Sequence, residues 1–387
     1  MRTIKLKKRE ERRLQRGHPW VFSNEIEDLP RDAQPGELVD VTDNRGQFLG
    51  RGYLNPRSLI ACRILTRQQE ETDVPFFVSR IRRARELRER LGFGRSYRAV
   101  FSEGDGIPGL IVDKYEDVLA VQCSTAGIDR LTKTILAALD EVYAPSAIVL
   151  RNDSGSRELE GLALDVSVVK GSVAGPVRFE ESGLKYRADL LEGQKTGFFF
   201  DQRENRQALA ALVPGLRTLD CFCYVGAWAL SAARFGASEV MGIDSSERAI
   251  SLAQANAGLN GLAAKFVVAD VFDELRRLEK DRQRFGCIIL DPPAFVKSRA
   301  KVREALKGYK EINLRALRLL EPGGFLVTCS CSHHIDLDLF REMLIDASWS
   351  AGRPVRLLEE RSQARDHPML LAARETQYLK CLVLQAQ

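Results

Sequence analysis

From about residue 186 onward, short apolar runs and helical patterns alternate along the chain. LRTLDCF, SEVMGID, AKFVVAD, GCIILD and GFLVTCS have the length and apolar content of buried strands. AWALSAARF, ERAISLAQANAGLN, VFDELRRLEK and REALKGYKEINLRALRLL separate most of them and carry apolar residues at helical spacing. Such alternation folds as a parallel sheet with helices on both faces. Ligands then bind beyond the carboxyl ends of the strands. Four of the five strands end in a polar or reactive residue: Asp244, Asp270, Asp291 and the thiol pair Cys329 and Cys331. Chemistry is expected along that edge.

Two other textures precede this region. Residues 1 to about 70 hold short β-like runs broken by turn chemistry at Asn44-Arg45-Gly46 and Asn55-Pro56, the pattern of a small barrel. Residues 74–185 mix strands and helices. Thr72-Asp73-Val74-Pro75 reads as a helix start, followed by Phe77, Ile81, Ala84, Leu87 and Leu91 at helical spacing. GDGIPGLIVDKYEDVLAVQCS reads as two strands turning at Lys114–Asp117, IDRLTKTILAALDEVYA as one helix and SAIVLRND as a strand. With 387 residues, these segments predict three domains, at 1–70, 74–185 and 186–387.

Charge narrows the partner. The net charge is only +5, but eight Lys/Arg fall before or at Arg16, and Arg80, Arg82, Arg83, Arg85, Arg88 and Arg90 form a second cluster. Basic clusters suit a polyanion such as RNA; the alternative is two solvated surfaces. The N-terminus has no apolar core of a secretory signal and no run approaches a membrane span, so a cytoplasmic location, no membrane partner and eight reduced cysteines are expected.

After the first strand comes Asp220-Cys221-Phe222-Cys223-Tyr224-Val225-Gly226, which lacks the full glycine fingerprint of dinucleotide enzymes. Asp244 is placed to accept from ribose hydroxyls, and Asp270 from an adenine amine. A nucleoside without phosphates, read by acids at strand ends, is what S-adenosylmethionine presents. Each acid alone also serves as an ordinary helix cap.

The fourth strand ends Asp291-Pro292-Pro293-Ala294-Phe295. The prolines hold the backbone extended, orienting Asp291 and setting Phe295 to stack on a base. Amino-group methylation of adenine or guanine needs an acid here and no thiol. Methylation at carbon 5 of a pyrimidine needs a thiolate adding at carbon 6. Cys329 and Cys331 lie two apart, with Cys331 nearer the loop and expected as nucleophile, and Cys329 expected to pack. Zinc is the weaker reading of the paired cysteines, since structural sites favour wider spacing, and no metal is expected.

RGHPWVFSNEI at 16–26, SEGDGIPGLIVDKY at 102–115, GQKTGFFFDQRENR at 193–206, DPPAFVKS at 291–298, GYKEINLRAL at 308–317, SCS at 330–332 and DHP at 366–368 resemble the RlmI-type bacterial 23S rRNA cytosine-5 methyltransferases. The resemblance runs in order along nearly the whole chain. It implies an α/β protein with a PUA-like RNA-binding barrel, a central α/β domain and a class I (Rossmann-like) methyltransferase domain. It implies Cys331 and Asp291 as catalytic residues. The implied S-adenosylmethionine set is Phe199, Asp201, Arg203, Asp220, Phe222, Tyr224, Gly226, Asp244, Ser245, Asp270, Val271 and Asp291, with Lys195 to Arg203 lying over the cofactor. Pro292, Pro293, Phe295, Arg16 and His18 are implied to meet the RNA. Other RNA cytosine-5 methyltransferases carry a second cysteine where this chain has Pro293-Ala294, so the base removing the carbon-5 proton is unassigned. CSCS also stands where the family commonly has one cysteine.

The expected function is S-adenosylmethionine-dependent formation of 5-methylcytosine in 23S rRNA or a large-subunit precursor, with a homodimer left open. The alternatives are amino-group methylation of RNA guanine or adenine through the DPPAF loop, and a non-enzymatic RNA-binding assembly factor.

Overall fold

The computed structural model describes residues 1–295 and 301–387. Its contacts divide the chain into two units: Met1–Phe179 with Asp189–Phe200 and Arg365–Thr376, and Glu180–Ala188 with Asp201–Ala364 and Gln377–Gln387. The sequence segments 1–70 and 74–185 therefore share one unit as far as Phe179.

The first unit begins with strands β1 (Arg2–Lys5), β2 (Trp20–Val21), β3 (Glu37–Thr42), β4 (Phe48–Leu54) and β5 (Cys62–Thr66), paired in the order β1-β3-β4-β5-β2, and a short helix α1 (Glu11–Gln15). The expected turn at residues 44–46 forms because Asp43 Oδ1 accepts from the backbone N–H groups of Arg45 and Gln47, both at 2.8 Å. Ile4, Val39, Val41, Leu54 and Ile64 fill its core.

A second sheet follows in the order β10-β9-β8-β7-β6. Its strands are β6 (Tyr97–Phe101), β7 (Leu110–Tyr115), β8 (Val118–Cys123), β9 (Ala147–Asn152) and β10 (Asp165–Lys170). Helix α2 (Val74–Arg90) precedes it, capped by Asp73, whose carboxylate accepts from Phe76 N at 3.1 Å. The parallel pair β8/β9 requires a crossover, supplied by α3 (Ala126–Arg130) and α4 (Thr132–Tyr143). The sequence pattern reads as one helix there. The break falls at Leu131, where the Thr132 hydroxyl bonds back to Asp129 O at 2.6 Å and competes with the helical ladder. Helix α5 (Ser156–Leu159) lies between β9 and β10.

The second basic cluster is partly structural rather than a free surface. Arg88 is fully buried, pairs with both oxygens of Asp105 at 2.6 and 2.7 Å, and donates to Asp366 O. Arg82 pairs with Glu141 and Arg85 with Glu89.

Two short strands, β11 (Val177–Glu181) and β12 (Leu184–Ala188), lead on. The second unit then takes up the alternation read from the sequence: α6 (Arg203–Ala208), β13 (Arg217–Cys221), α7 (Ala227–Arg234), β14 (Glu239–Asp244), α8 (Glu247–Asn260), β15 (Lys265–Val268), α9 (Val271–Lys280), β16 (Phe285–Leu290), α10 (Val302–Leu319), β17 (Leu320–Ser330), α11 (Leu337–Ala351), β18 (Val355–Arg361) and β19 (Lys380–Ala386). The strands pair in the order β15-β14-β13-β16-β17-β19-β18. The first five are mutually parallel, and β19 is antiparallel to both β17 and β18. Alternate residues of one strand serve opposite faces. Ile288, Leu290 and Leu326 pack with residues of α9, α10 and α11, whereas Cys287, Ile289 and Val327 pack with Trp228 and Ala229 of α7. Burial on both faces is why these strands read as continuous apolar runs.

Because Asp73 satisfies an end of α2 that has no intrahelical acceptor, Asp73→Ala is expected to cost about 1 kcal/mol. Urea unfolding checks this as a lower midpoint at unchanged slope.

Candidate active site

The carboxyl ends of β13, β14 and β16 carry the acids expected from the sequence. Asp220 in β13 is fully buried. Its Oδ2 accepts from Ala229 N at 2.9 Å, while Oδ1 has no hydrogen-bond partner among the described residues. Burial pushes its pKa well above the carboxylate range, and the nearby charges of Asp291 and Asp244 act in the same direction.

The loop after β13 holds two non-glycine residues in the left-handed region, Phe222 (φ 64°) and Tyr224 (φ 48°), and Gly226 at φ 82°. Such residues cost about 1–3 kcal/mol each and persist only when their surroundings fix them. Here Cys223 N donates to Ile243 O, and Tyr224 N donates to Asp244 Oδ2, both at 2.9 Å. A Cβ on Gly226 would sit 3.1 Å from Ala253 Cβ and from the Phe266 ring. The second Asp244 oxygen accepts from Ser246 N at 2.9 Å, and Ser245 between them is exposed.

Asp270 takes the helix-cap role that the sequence left open beside a cofactor role: its Oδ1 accepts from Phe272 N at 2.9 Å and Asp273 N at 3.1 Å. Val271, the first residue of α9, is buried in the core.

At the end of β16, Asp291 is half-buried and its two oxygens accept from Gln202 Nε2 and Trp228 Nε1, each at 3.0 Å. Burial raises its pKa to about 6, with the charge of Asp201 adding to the rise and the two hydrogen bonds opposing it. Pro292 is buried and Pro293 exposed. The Phe295 ring packs against Tyr309 with centroids 4.7 Å apart, and against Phe272 and Phe222 at 6.0 and 6.3 Å. Val296, Lys297 and Ser298 of the DPPAFVKS motif lie outside the described residues.

The two cysteines of CSCS have different surroundings. Strand β17 ends at Ser330, so Cys329 lies within it and Cys331 just beyond. Cys329 is fully buried, opposite Cys381 of β19, and burial together with that neighbouring thiol pushes its pKa well up. Cys331 is half-buried, the one cysteine of eight that is not sealed in the interior. None of the eight is in a disulfide. Ser330 and Ser332, on either side of Cys331, bond to the Tyr309 hydroxyl at 3.2 and 3.0 Å. Lys380 Nζ donates to Ser332 O at 2.8 Å.

The remaining expected residues have these settings. Asp201 is buried and accepts from the Tyr378 hydroxyl at 2.5 Å. Arg203 is buried and pairs at 3.2 Å with Glu181, which Arg206 also grips through both oxygens. In the first unit, Phe199 lies under the Lys195 ammonium at 4.8 Å. Arg16 is exposed at the end of α1, whereas His18 is buried and its Nδ1 accepts from Trp20 N at 3.1 Å.

Gln202, Trp228, Tyr309 and Lys380 were not singled out from the sequence. Tyr309 sits in the GYKEINLRAL motif, and Lys380 is a cation inside the apolar run YLKCLVL, a weak but readable signal.

Residues 4–67 match the PUA-like domain family, and residues 167–367 match the S-adenosylmethionine-dependent methyltransferase family. The chain is 40% identical over 383 residues to the ribosomal RNA large subunit methyltransferase I of Erwinia tasmaniensis, covering 97% of each chain. It is 42% identical over 388 residues to the protein of that name from Shewanella amazonensis, covering 98% of each. The chain belongs to this methyltransferase family. Its fold matches, at 21% identity and over 100% of both chains, a structure from Streptococcus mutans described as a SAM-dependent methyltransferase (TM-score 0.85) and a methyltransferase structure complexed with SAH (TM-score 0.87).

The cofactor of this methyltransferase is S-adenosylmethionine, and the site's chemistry fits it. Asp220 keeps a buried oxygen without a partner among the described residues, the left-handed Gly226 lets the loop pack against Ala253 and Phe266, and the charges of Asp291 and Asp244 act on Asp220 as that of Asp201 acts on Asp291. A concentration of negative charge suits a ligand that carries a sulfonium and an ammonium.

Two outcomes follow from the burial pattern. A thiol reagent added to the native protein is expected to modify Cys331 rapidly and the other seven cysteines only on unfolding, read by mass mapping. Asp291 keeps its proton in the folded state up to about pH 6, whereas an ordinary carboxyl loses it near pH ~4. The folded state therefore binds the extra proton between these limits, and stability falls as pH rises through that window. Asp291→Asn is expected to flatten this slope in melting temperature against pH.

Proposed function

We propose that this methyltransferase forms 5-methylcytosine in large-subunit ribosomal RNA, 23S rRNA, with Cys331 as nucleophile. The observation that carries the reading is the contrast at CSCS: Cys329 is sealed against Cys381, and Cys331 emerges half-buried at the carboxyl edge of the sheet. Asp291 at the end of the neighbouring strand has both oxygens engaged by Gln202 and Trp228, which holds the loop before Pro292 and Pro293 in place.

In this reading the Cys331 thiolate adds to carbon 6 of the cytosine and pushes electron density onto carbon 5. After carbon 5 is methylated, loss of its proton and departure of the thiolate restore the aromatic ring. S-adenosylmethionine supplies the methyl group as an electrophile on a sulfonium. Asp220, Asp244 and the strained loop from Phe222 to Gly226 would hold the cofactor. Phe295, braced by Tyr309 and Phe272, would line the base pocket. A base in a duplex would be extruded first, at a cost of a few kcal/mol.

The first unit supplies features suited to RNA. A cavity of ≈ 450 Å³ there is lined by Arg67, Arg80 and Arg83, with Pro19 and Gly104 among the other walls. Arg80 is held by Gly106 O at 2.9 Å and by the Phe76 ring at 4.3 Å, leaving the remaining guanidinium donors for phosphate oxygens. The family names of the relatives, ribosomal RNA large subunit methyltransferase I, point to the same class of substrate.

Cys331→Ala is expected to abolish 5-methylcytosine formation on ribosomal RNA from cells lacking the enzyme, while Cys329→Ala retains most of it. Nucleoside mass spectrometry reads both. Unaltered 5-methylcytosine formation by Cys331→Ala would remove the nucleophile assignment.

A further inference from the structure

Lys380 is a buried cation that the reading above does not use. It opens β19 opposite Ser330, the last residue of β17, and is only 9% exposed. Its ammonium donates to Ser332 O and to Tyr378 O, each at 2.8 Å. An ammonium has three donors, and no third acceptor is found among the described residues. No carboxylate within ion-pair distance neutralises it there either. A buried charge without a counter-ion is costly, so the surroundings must supply negative charge when the group is protonated.

The groups around it identify the source. Burial lowers its pKa to about 8, and the opposing influences, largest first, are the charge on Cys331 and that on Asp336 at the start of α11. Tyr309 of α10 also faces the thiol, but burial pushes its pKa to about 12, so it stays neutral and acts through its hydroxyl. His333 and Tyr378 pack with tilted rings, centroids 5.8 Å apart, beside the same turn. Asp291, from β16, acts on Cys329. Among the described residues Lys380 is thus the cation of this group, fixed by the Ser332 carbonyl beside Cys331 and by the Tyr378 carbonyl just before β19.

We propose that Lys380 is a positioning residue for Cys331: its ammonium, pinned to the carbonyl of Ser332, stabilises the Cys331 thiolate and holds the turn that presents it. The inference rests on Cys331 being the nucleophile. A nearby cation favours the thiolate, and the thiolate is the counter-ion that the buried ammonium lacks. The plain structural alternative is a lysine that only ties two carbonyls together.

The test is the pH profile of Cys331 alkylation by iodoacetamide in the whole protein without RNA, followed by peptide mass spectrometry. Lys380→Met is expected to move the midpoint up by about one unit, a tenfold slower reaction below the midpoint. Lys380→Arg is expected to restore most of the shift, because it keeps the charge. Lys380→Gln keeps a donor for the carbonyls without the charge and is expected to behave as Met, which covers a Met variant that does not fold. Retained binding of S-adenosylhomocysteine shows that each variant is folded. Equal midpoints in the native protein and a folded Met or Gln variant would overturn the proposal. Because no RNA is present, a shifted midpoint alongside a fully active Cys331→Ala enzyme would sink the nucleophile reading while leaving the thiolate–ammonium coupling in place.

Discussion

The register between β17 and β19 decides what the reactive edge of the sheet can be. Cys329 is set opposite Cys381 and Ser330 opposite Lys380, and the pairing stops there. In a strand, a shift of one residue moves every side chain to the other face. With this register Cys329 joins the packed face formed with Ile289, Val327 and Val383, and Cys331 falls on the first residue past the strand. The turn is then fastened on both sides: Ser330 and Ser332 to the Tyr309 hydroxyl, and the Ser332 carbonyl to Lys380. A half-buried thiol is held still without being sealed.

The parallel half of the sheet supplies the complementary environment. The acids of β13, β14 and β16 come to one edge because parallel strands all end on the same side. Burying and gathering carboxylates is unfavourable in itself: burial first, and neighbouring acids second, raise the pKa values of Asp220 and Asp291. Backbone N–H groups of Tyr224, Ala229 and Ser246, with the side chains of Gln202 and Trp228, offset part of that repulsion. A cationic cofactor offsets more, so the strained loop and the acid cluster are best understood as preorganisation for a ligand.

Much of this architecture was legible in the sequence because one period governed each segment. Buried parallel strands read as apolar runs, and helices such as α8 and α10 declared themselves at their own spacing. The antiparallel strands β18 and β19 were not separated from their surroundings, since no strand–helix alternation marks them. With β19 went Lys380, whose importance depends on a cross-strand neighbour that no local pattern reveals. Asp270 shows the opposite case. An acid at a strand end serves equally as cofactor ligand and helix cap, and only the hydrogen bonds to Phe272 and Asp273 show the second role in use. Arg88 shows how composition misleads: a cation in a basic run can be a buried structural pair.

In the proposed reaction one thiol, Cys331, bonds to the pyrimidine ring during turnover. The most direct measurement uses target RNA containing 5-fluorocytidine, in which the fluorine blocks release of the enzyme, with S-adenosylmethionine present. Peptide mapping of the product is predicted to find the nucleotide attached to Cys331 and not to Cys329. Absence of a covalent complex on RNA whose unmodified form is methylated, or attachment at another residue, would contradict the account.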